Sequence, residues 1–263
     1  MARITSFLII ISSLYVSALS ESRADDKAIT SFPADTDWGR IVARDSSIEL
    51  HVKTIPGSRV ISFPRLNNQM KSLYLDGKSP EESNLKFKPE LTTWEVTLPK
   101  DLADTSPLII FETLEPVELA IKPHVVNQSD DGSVTLPAHH VVTHGKLLRY
   151  EPQPHKNTMG YWANADDWAE WHLVVSQPGE FEIEVLQGCG KGQGGSTVEI
   201  ELAGKKIEFT IEDTGHFQNF KPRKIGTTRI EKTGRLQLQI RTLKKAKNAV
   251  CDIRQIRLLP VKQ

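Results

Sequence analysis

Three histidines, His139, His140 and His144, are of a type that holds metal ions, and His140 and His144 stand four apart. That spacing puts two imidazoles on one face only in a helix. Here Pro137, Val141 and Val142 surround them and point to a strand and a turn, and no H-E-x-x-H pattern accompanies them. The expectation is that these histidines bind no metal. The run Gly188-Cys189-Gly190-Lys191-Gly192-Gln193-Gly194-Gly195-Ser196 brushes against dinucleotide- and phosphate-binding loops. Those loops need a strand followed by a helix whose N-terminus faces the phosphate, whereas this run joins two alternating segments and reads as a flexible strand connection. No G-x-S-x-G elbow is present. Glu182, Glu184, Glu199 and Glu201 alternate with apolar residues and belong on the solvated faces of strands. Asp166 and Asp167 are adjacent in a turn, so their side chains need not converge, and no facing carboxylate pair emerges. No catalytic residue is assigned. Cys189 and Cys251 either pair, closing a loop of about 60 residues worth about 4 kcal/mol in the chain-entropy picture, or stay as two buried thiols.

The elements that must position any site are strands. Ile48-Glu49-Leu50-His51-Val52, Trp94-Glu95-Val96-Thr97-Leu98, Phe181-Glu182-Ile183-Glu184-Val185, Val198-Glu199-Ile200-Glu201-Leu202 and Leu236-Gln237-Leu238-Gln239-Ile240 all repeat with period two. Each predicts a half-buried antiparallel strand. Pro56-Gly57, Asp76-Gly77, Pro178-Gly179, Ala203-Gly204 and Thr233-Gly234 punctuate them as turns, and no segment sustains an amphipathic helix. The fold class expected is all-β, in two sandwiches. The polar stretch Asn127-Gln128-Ser129-Asp130-Asp131-Gly132, after Lys122-Pro123, marks a linker over 122–133, which separates a domain over 35–121 from one over 134–261.

Arg3, the apolar run Phe7 to Leu14 and the small residues Ala18 and Ser20 follow the order of a secretory signal peptide, with cleavage after Ser20 or Ala24. The signal peptide and its cleavage region take up residues 1–24, and 21–34 are expected to be loose. The apolar run falls short of the roughly 20 residues of a spanning helix, and no cysteine lies near the cut to carry a lipid. A secreted or periplasmic chain is expected. Removing residues 1–20 takes away one Arg and leaves 32 basic against 33 acidic side chains, a charge of −1. That balance argues against a nucleic-acid partner.

Two stretches resemble known families. Trp38-Gly39-Arg40-Ile41, the strand Ile48 to Val52, Pro56-Gly57, Phe63-Pro64-Arg65-Leu66, Leu73-Tyr74-Leu75 and Leu98-Pro99 fall in the order seen in the C-terminal β-sandwich of α-L-fucosidases. Gly160-Tyr161-Trp162, Asp167-Trp168-Ala169-Glu170-Trp171, Pro178-Gly179-Glu180-Phe181, Thr214-Gly215-His216-Phe217-Gln218-Asn219-Phe220, Thr233-Gly234 and Asp252-Ile253-Arg254-Gln255-Ile256 resemble family 6 carbohydrate-binding modules, which are galactose-binding-like sandwiches. A fucosidase also needs a (β/α) barrel of about 250 residues, and this chain has no room for one.

The second resemblance implies a sugar cleft between two aromatic rings with a polar group beside them. Phe217 falls at the position of the cleft tryptophan, Tyr161 or Trp162 at the facing aromatic, and Asn248 near the loop that supplies the polar group. The resemblance places Trp168, Trp171 and Phe220 in the interior. It also implies a structural calcium ion, with Asp252 in the last strand and Glu151 as its acidic partner, the first strand, Leu136-Pro137-Ala138-His139-His140, having no Glu after its Ala. The reading that follows is a secreted, non-catalytic protein that binds polysaccharide or another glycan, accessory to a separate glycoside hydrolase. The alternatives are a structural or protein-interaction module at the cell surface and an accessory subunit of an α-L-fucosidase.

Overall fold

The computed structural model describes residues 35–103 and 105–261. The expected signal peptide and the stretch 21–34 lie outside the described residues. Everything described is built on strands, as the period-two pattern requires, apart from a one-turn helix α1 (Pro80–Ser83) closed by a Ser79–Glu82 capping box and a 3₁₀ turn over Ala138–His140.

The first half holds β1 (Gly39–Ala43), β2 (Ser47–Val52), β3 (Val60–Pro64), β4 (Met70–Leu75), β5 (Lys86–Pro89), β6 (Thr93–Thr97) and β7 (Leu108–Thr113). Four of them form a sheet in the order β1-β2-β7-β4 and three form a second, β3-β6-β5. The alternation sends Ile48, Leu50 and Val52 inward from β2 and Trp94 and Val96 inward from β6. Phe63, Phe87, Trp94 and Phe111 meet between the two sheets, with Trp94 and Phe111 ring centroids 5.3 Å apart and Phe63 edge-on to Trp94 at 5.9 Å. Such aromatic pairs add about 1 kcal/mol each to the burial of their area.

The second half holds β8 (Val125–Asn127), β9 (Val134–Pro137), β10 (Val142–His144), β11 (Arg149–Glu151), β12 (Thr158–Gly160), β13 (Trp168–Val175), β14 (Gly179–Cys189), β15 (Thr197–Leu202), β16 (Lys205–Thr210), β17 (His216–Ile230), β18 (Gly234–Lys244) and β19 (Asp252–Pro260). One sheet runs β10-β13-β18-β15-β16 and the other β11-β12-β19-β14-β17, with β9 also on β19. The Trp171 indole crosses between the sheets and donates to the Pro137 carbonyl at 2.8 Å. Inside the expected linker, Val125–Asn127 is the strand β8, which pairs in parallel with His172–Val174 of β13. The polar residues that follow it mask this short apolar pair in the sequence.

The buried side chains of both halves form one contiguous core. Arg65, itself buried, donates from Nη2 to the Val141 carbonyl at 2.6 Å. Tyr150 is fully buried 6.3 Å from Trp94, its hydroxyl donates to Asn157, and Asn157 Nδ2 donates to Gln69 at 2.8 Å. Arg149 reaches Glu90 at 3.2 Å. Tyr150 keeps its proton, since burial raises its pKa.

Candidate functional site

The loop between β12 and β13 is anchored on one carboxylate. Asp167 is fully buried, and its Oδ1 accepts from the Lys146 N–H and Asn164 Nδ2, each at 2.9 Å. Its Oδ2 accepts from the N–H groups of Leu147 at 2.8 Å and Leu148 at 2.9 Å. Burial works against its ionised form, but these donors outweigh that penalty and hold its pKa below the usual carboxylate range. The fit requires glycine at 145, whose φ is +115° and where a Cβ would lie 2.0 Å from Asp167 Oδ1. The Asp167 carbonyl accepts the Trp162 indole N–H at 2.9 Å, the Trp162 carbonyl accepts from the Val250 N–H at 2.8 Å, and Lys245 Nζ holds the Ala163 carbonyl.

This scaffold shapes an open groove of about 260 Å³, lined by Glu151, Lys156, Tyr161, Trp162, Ala163, Phe217, Gln218, Ala249 and Asp252. Two of its rings differ sharply in exposure: Trp162 is 1% exposed and Tyr161 51%. Tyr161 has φ +59°, a left-handed conformation uncommon outside glycine, which turns its ring outward while its neighbour's goes into the core. The Arg149 guanidinium lies 3.7 Å from the centre of the Tyr161 ring and braces one face of it. Across the groove Phe217 rests on the glycine run. A Cβ on Gly190 would lie 2.6 Å from its Cε2, and one on Gly188 would lie 1.9 Å from its backbone oxygen. The run is therefore a close-approach platform for Phe217 as well as a connection.

The sequence-predicted residues divide on this geometry. Tyr161, Trp162 and Phe217 all line the groove, Trp162 as a buried wall and not as a free ring. Asn248 is exposed in the adjoining loop, its N–H held by Gln193 Oε1 at 3.1 Å, and Ala249 takes the lining position instead. Trp171 is core, Trp168 stacks on His144 at 3.8 Å, and Phe220 lies under the Arg254 guanidinium at 3.9 Å. Lys156 and Gln218 were missed. Gln218 had a signal, its position next to Phe217; Lys156 had none, lying in a loop that its own sequence does not tie to the groove.

Glu151 and Asp252 do come together on the groove floor, within 2.6 Å and 3.1 Å of the place a Cβ on Gly160 would take. Lys156 Nζ already sits 2.5 Å from Glu151 Oε1. Calcium wants an all-oxygen shell, and a fixed ammonium beside two carboxylates does not suit it: Lys156 supplies the positive charge expected of the ion. Burial and the neighbouring Glu151 raise the pKa of Asp252 well above the ordinary carboxylate value, so it can donate as well as accept. The two cysteines are buried and unbonded in this structure, and burial raises the pKa of Cys189 to about 11. His144 lies 3.4 Å from Glu170, away from His139 and His140, whose rings meet edge to face at 4.2 Å.

Residues 149–260 match a family described as a domain of unknown function, DUF5077, over less than half of the chain. No curated protein matches. Among solved structures the chain is similar to an α-L-fucosidase from Vibrio sp. strain EJY3, at 16% identity and a TM-score of 0.35, over 92% of this chain and 44% of that one. It is also similar to the C-terminal family 6 carbohydrate-binding module of a marine laminarinase from Zobellia galactanivorans, at 18% identity and a TM-score of 0.39, over 48% of this chain and 98% of that one. A family 6 module from the Cellvibrio mixtus lichenase 5A, solved with cellotriose, is similar at 19% identity and a TM-score of 0.37, over 49% of this chain and 97% of that module. The chain spans less than half the length of the fucosidase.

Proposed function

We propose that this chain is a secreted or periplasmic, non-catalytic carbohydrate-binding protein whose second half, over 134–261, holds a pyranose unit in the groove between Tyr161 and Phe217, and that it is accessory to a separate glycoside hydrolase. One observation carries the reading: a half-exposed tyrosine ring, held outward by left-handed backbone and braced from behind, opens onto a groove whose floor is polar. A pyranose offers an apolar C–H face to such a ring, and its hydroxyls need partners when they leave water. Glu151 and Lys156 supply acceptor and donor, Gln218 both, and Asp252 an acceptor or, when protonated, a donor. The volume lies below the roughly 300–1,000 Å³ of drug-sized pockets and suits one sugar unit. The order of motifs shared with family 6 modules supports the same reading. The first half, over 35–121, braces the groove through Glu90 and Arg149.

The test is affinity electrophoresis of the protein through gels containing fucose-rich or galactose-rich polysaccharide. Tyr161→Ala and Phe217→Ala should each weaken retention at least tenfold while melting close to the parent, since neither ring is core. Retention unchanged in both variants refutes the groove. Absence of retention on every polysaccharide tried refutes glycan binding and leaves the surface-assembly reading.

A further inference from the structure

Away from the groove, at the junction of the halves, three imidazoles and two carboxylates converge from segments far apart in sequence. Glu118 and Glu115 follow β7, His124 lies just before β8, and His139 and His140 end the 3₁₀ turn after β9. Glu118, His124 and His140 each present one ligand atom within 4.8 Å of the others, and Glu115, His139 and His140 do the same on the other side, so that His140 belongs to both sets. His124 and His140 stack at 3.5 Å.

Two features distinguish this cluster from a chance gathering of polar residues. Nδ1 of His139 and Nδ1 of His140 are buried without any hydrogen-bond partner, and an unpaired buried polar atom is costly unless something outside the chain completes it. Glu118 is held at several points: Oε1 accepts from Asn67 Nδ2 at 3.0 Å, Oε2 lies 2.7 Å from His124 Nδ1, and its N–H donates to Asn68 Oδ1 at 2.7 Å. Outer partners such as Asn67 and Asn68 fix the orientation of a metal-binding side chain. Arg65, whose charge faces His139, is turned onto the Val141 carbonyl.

We infer that Glu118, His124 and His140, with Glu115 and His139 beside them, bind one divalent transition-metal ion of the zinc class at the junction of the two halves. Mixed imidazole and carboxylate ligands suit zinc, cobalt or nickel and do not suit calcium or magnesium. Ligands about 2.1 Å from a tetrahedral ion stand about 3.4 Å apart, so the Glu118–His124 pair, now 2.7 Å apart, opens to admit the ion and the stacked rings tilt apart. The site is independent of sugar binding. It ties the segment after β7 to the turn after β9.

The test uses the full chain without a polyhistidine tag, titrated with zinc chloride in a non-chelating buffer and followed by calorimetry and thermal melting. One equivalent of zinc should bind saturably and raise the melting temperature by several degrees, whereas calcium and magnesium should do neither. His140→Ala should abolish binding, His124→Ala should weaken it at least tenfold, and the exposed His155→Ala should leave it unchanged. If His140→Ala fails to fold, His124→Ala and Glu118→Gln decide the matter. No saturable binding by the parent, or parent-like affinity in the cluster variants, overturns the site.

Discussion

Asp167→Asn is the sharpest test of the structure, because it removes one charge and almost no volume. Each carboxylate oxygen accepts two donors, Lys146 N–H and Asn164 Nδ2 on Oδ1 and Leu147 and Leu148 N–H on Oδ2. Whichever way an amide is turned, its NH₂ points at two of them. Leaving two donors unpaired costs about 1–3 kcal/mol each where they are buried, and because all but the Leu148 N–H are only partly buried and the loop can relax, the total comes to about 3 kcal/mol. Urea unfolding at pH 7 should show that loss as a lower midpoint at unchanged slope. Acid supplies the second half of the test. The folded pKa of Asp167 lies below its unfolded value of about 3.9, so its contribution is present above that pH and is lost as pH falls through the folded pKa. The gap between parent and variant should therefore be full at pH 7 and should shrink below about pH 4. A gap under about 0.5 kcal/mol at pH 7, the size expected of an ordinary surface change, or one as large at pH 3, would refute the reasoning.

Three other outcomes follow from the same geometry. Gly190→Ala places a methyl group 2.6 Å from the Phe217 ring; overpacking of about 1–3 kcal/mol should lower the melting temperature and weaken polysaccharide retention, while Gly57→Ala, with nothing near its Cβ, changes neither. Asp252 has a raised folded pKa, so the stability it contributes is full below about pH 4 and is lost as pH rises through that folded value. Asp252→Asn should melt like the parent at pH 4 and about 3 °C higher at pH 8, and equal melting at both pH values counts against the buried acid. Thiol titration of the denatured, unreduced protein should find two groups, and reductant should not move the melting curve; fewer thiols would restore the disulfide.

The strands were legible because alternation is a local property: Ile48, Leu50 and Val52, or Phe181, Ile183 and Val185, announce their inward face within five residues. The strand β8 was not, since two valines among polar residues carry no period and gain their place only by pairing with β13. The aromatic pair at 161 and 162 was legible as a pair, but which ring faces out is decided by one positive φ that composition does not reveal. Asn248 and Ala249 differ by a single position in a loop, finer than a motif resolves. The ammonium of Lys156 among the acids, and the gathering of His124 with His139 and His140, arise from contacts between segments, and spacing within a segment says nothing of them. His144 shows the converse: close to His140 in sequence, it faces Trp168 and Glu170.

The ion pair between Glu90 and Arg149 has a bearing on how this architecture can be reused. Arg149 faces the Tyr161 ring, and Glu90 belongs to the other half of the molecule. Cut out alone, residues 134–261 would present to water the Tyr150 ring that now packs by Trp94, and would leave Arg149 free to swing off Tyr161. The second sandwich is therefore not a portable cassette: grafted onto another protein without its companion, it would carry every groove residue and still lose the support that aims one of them.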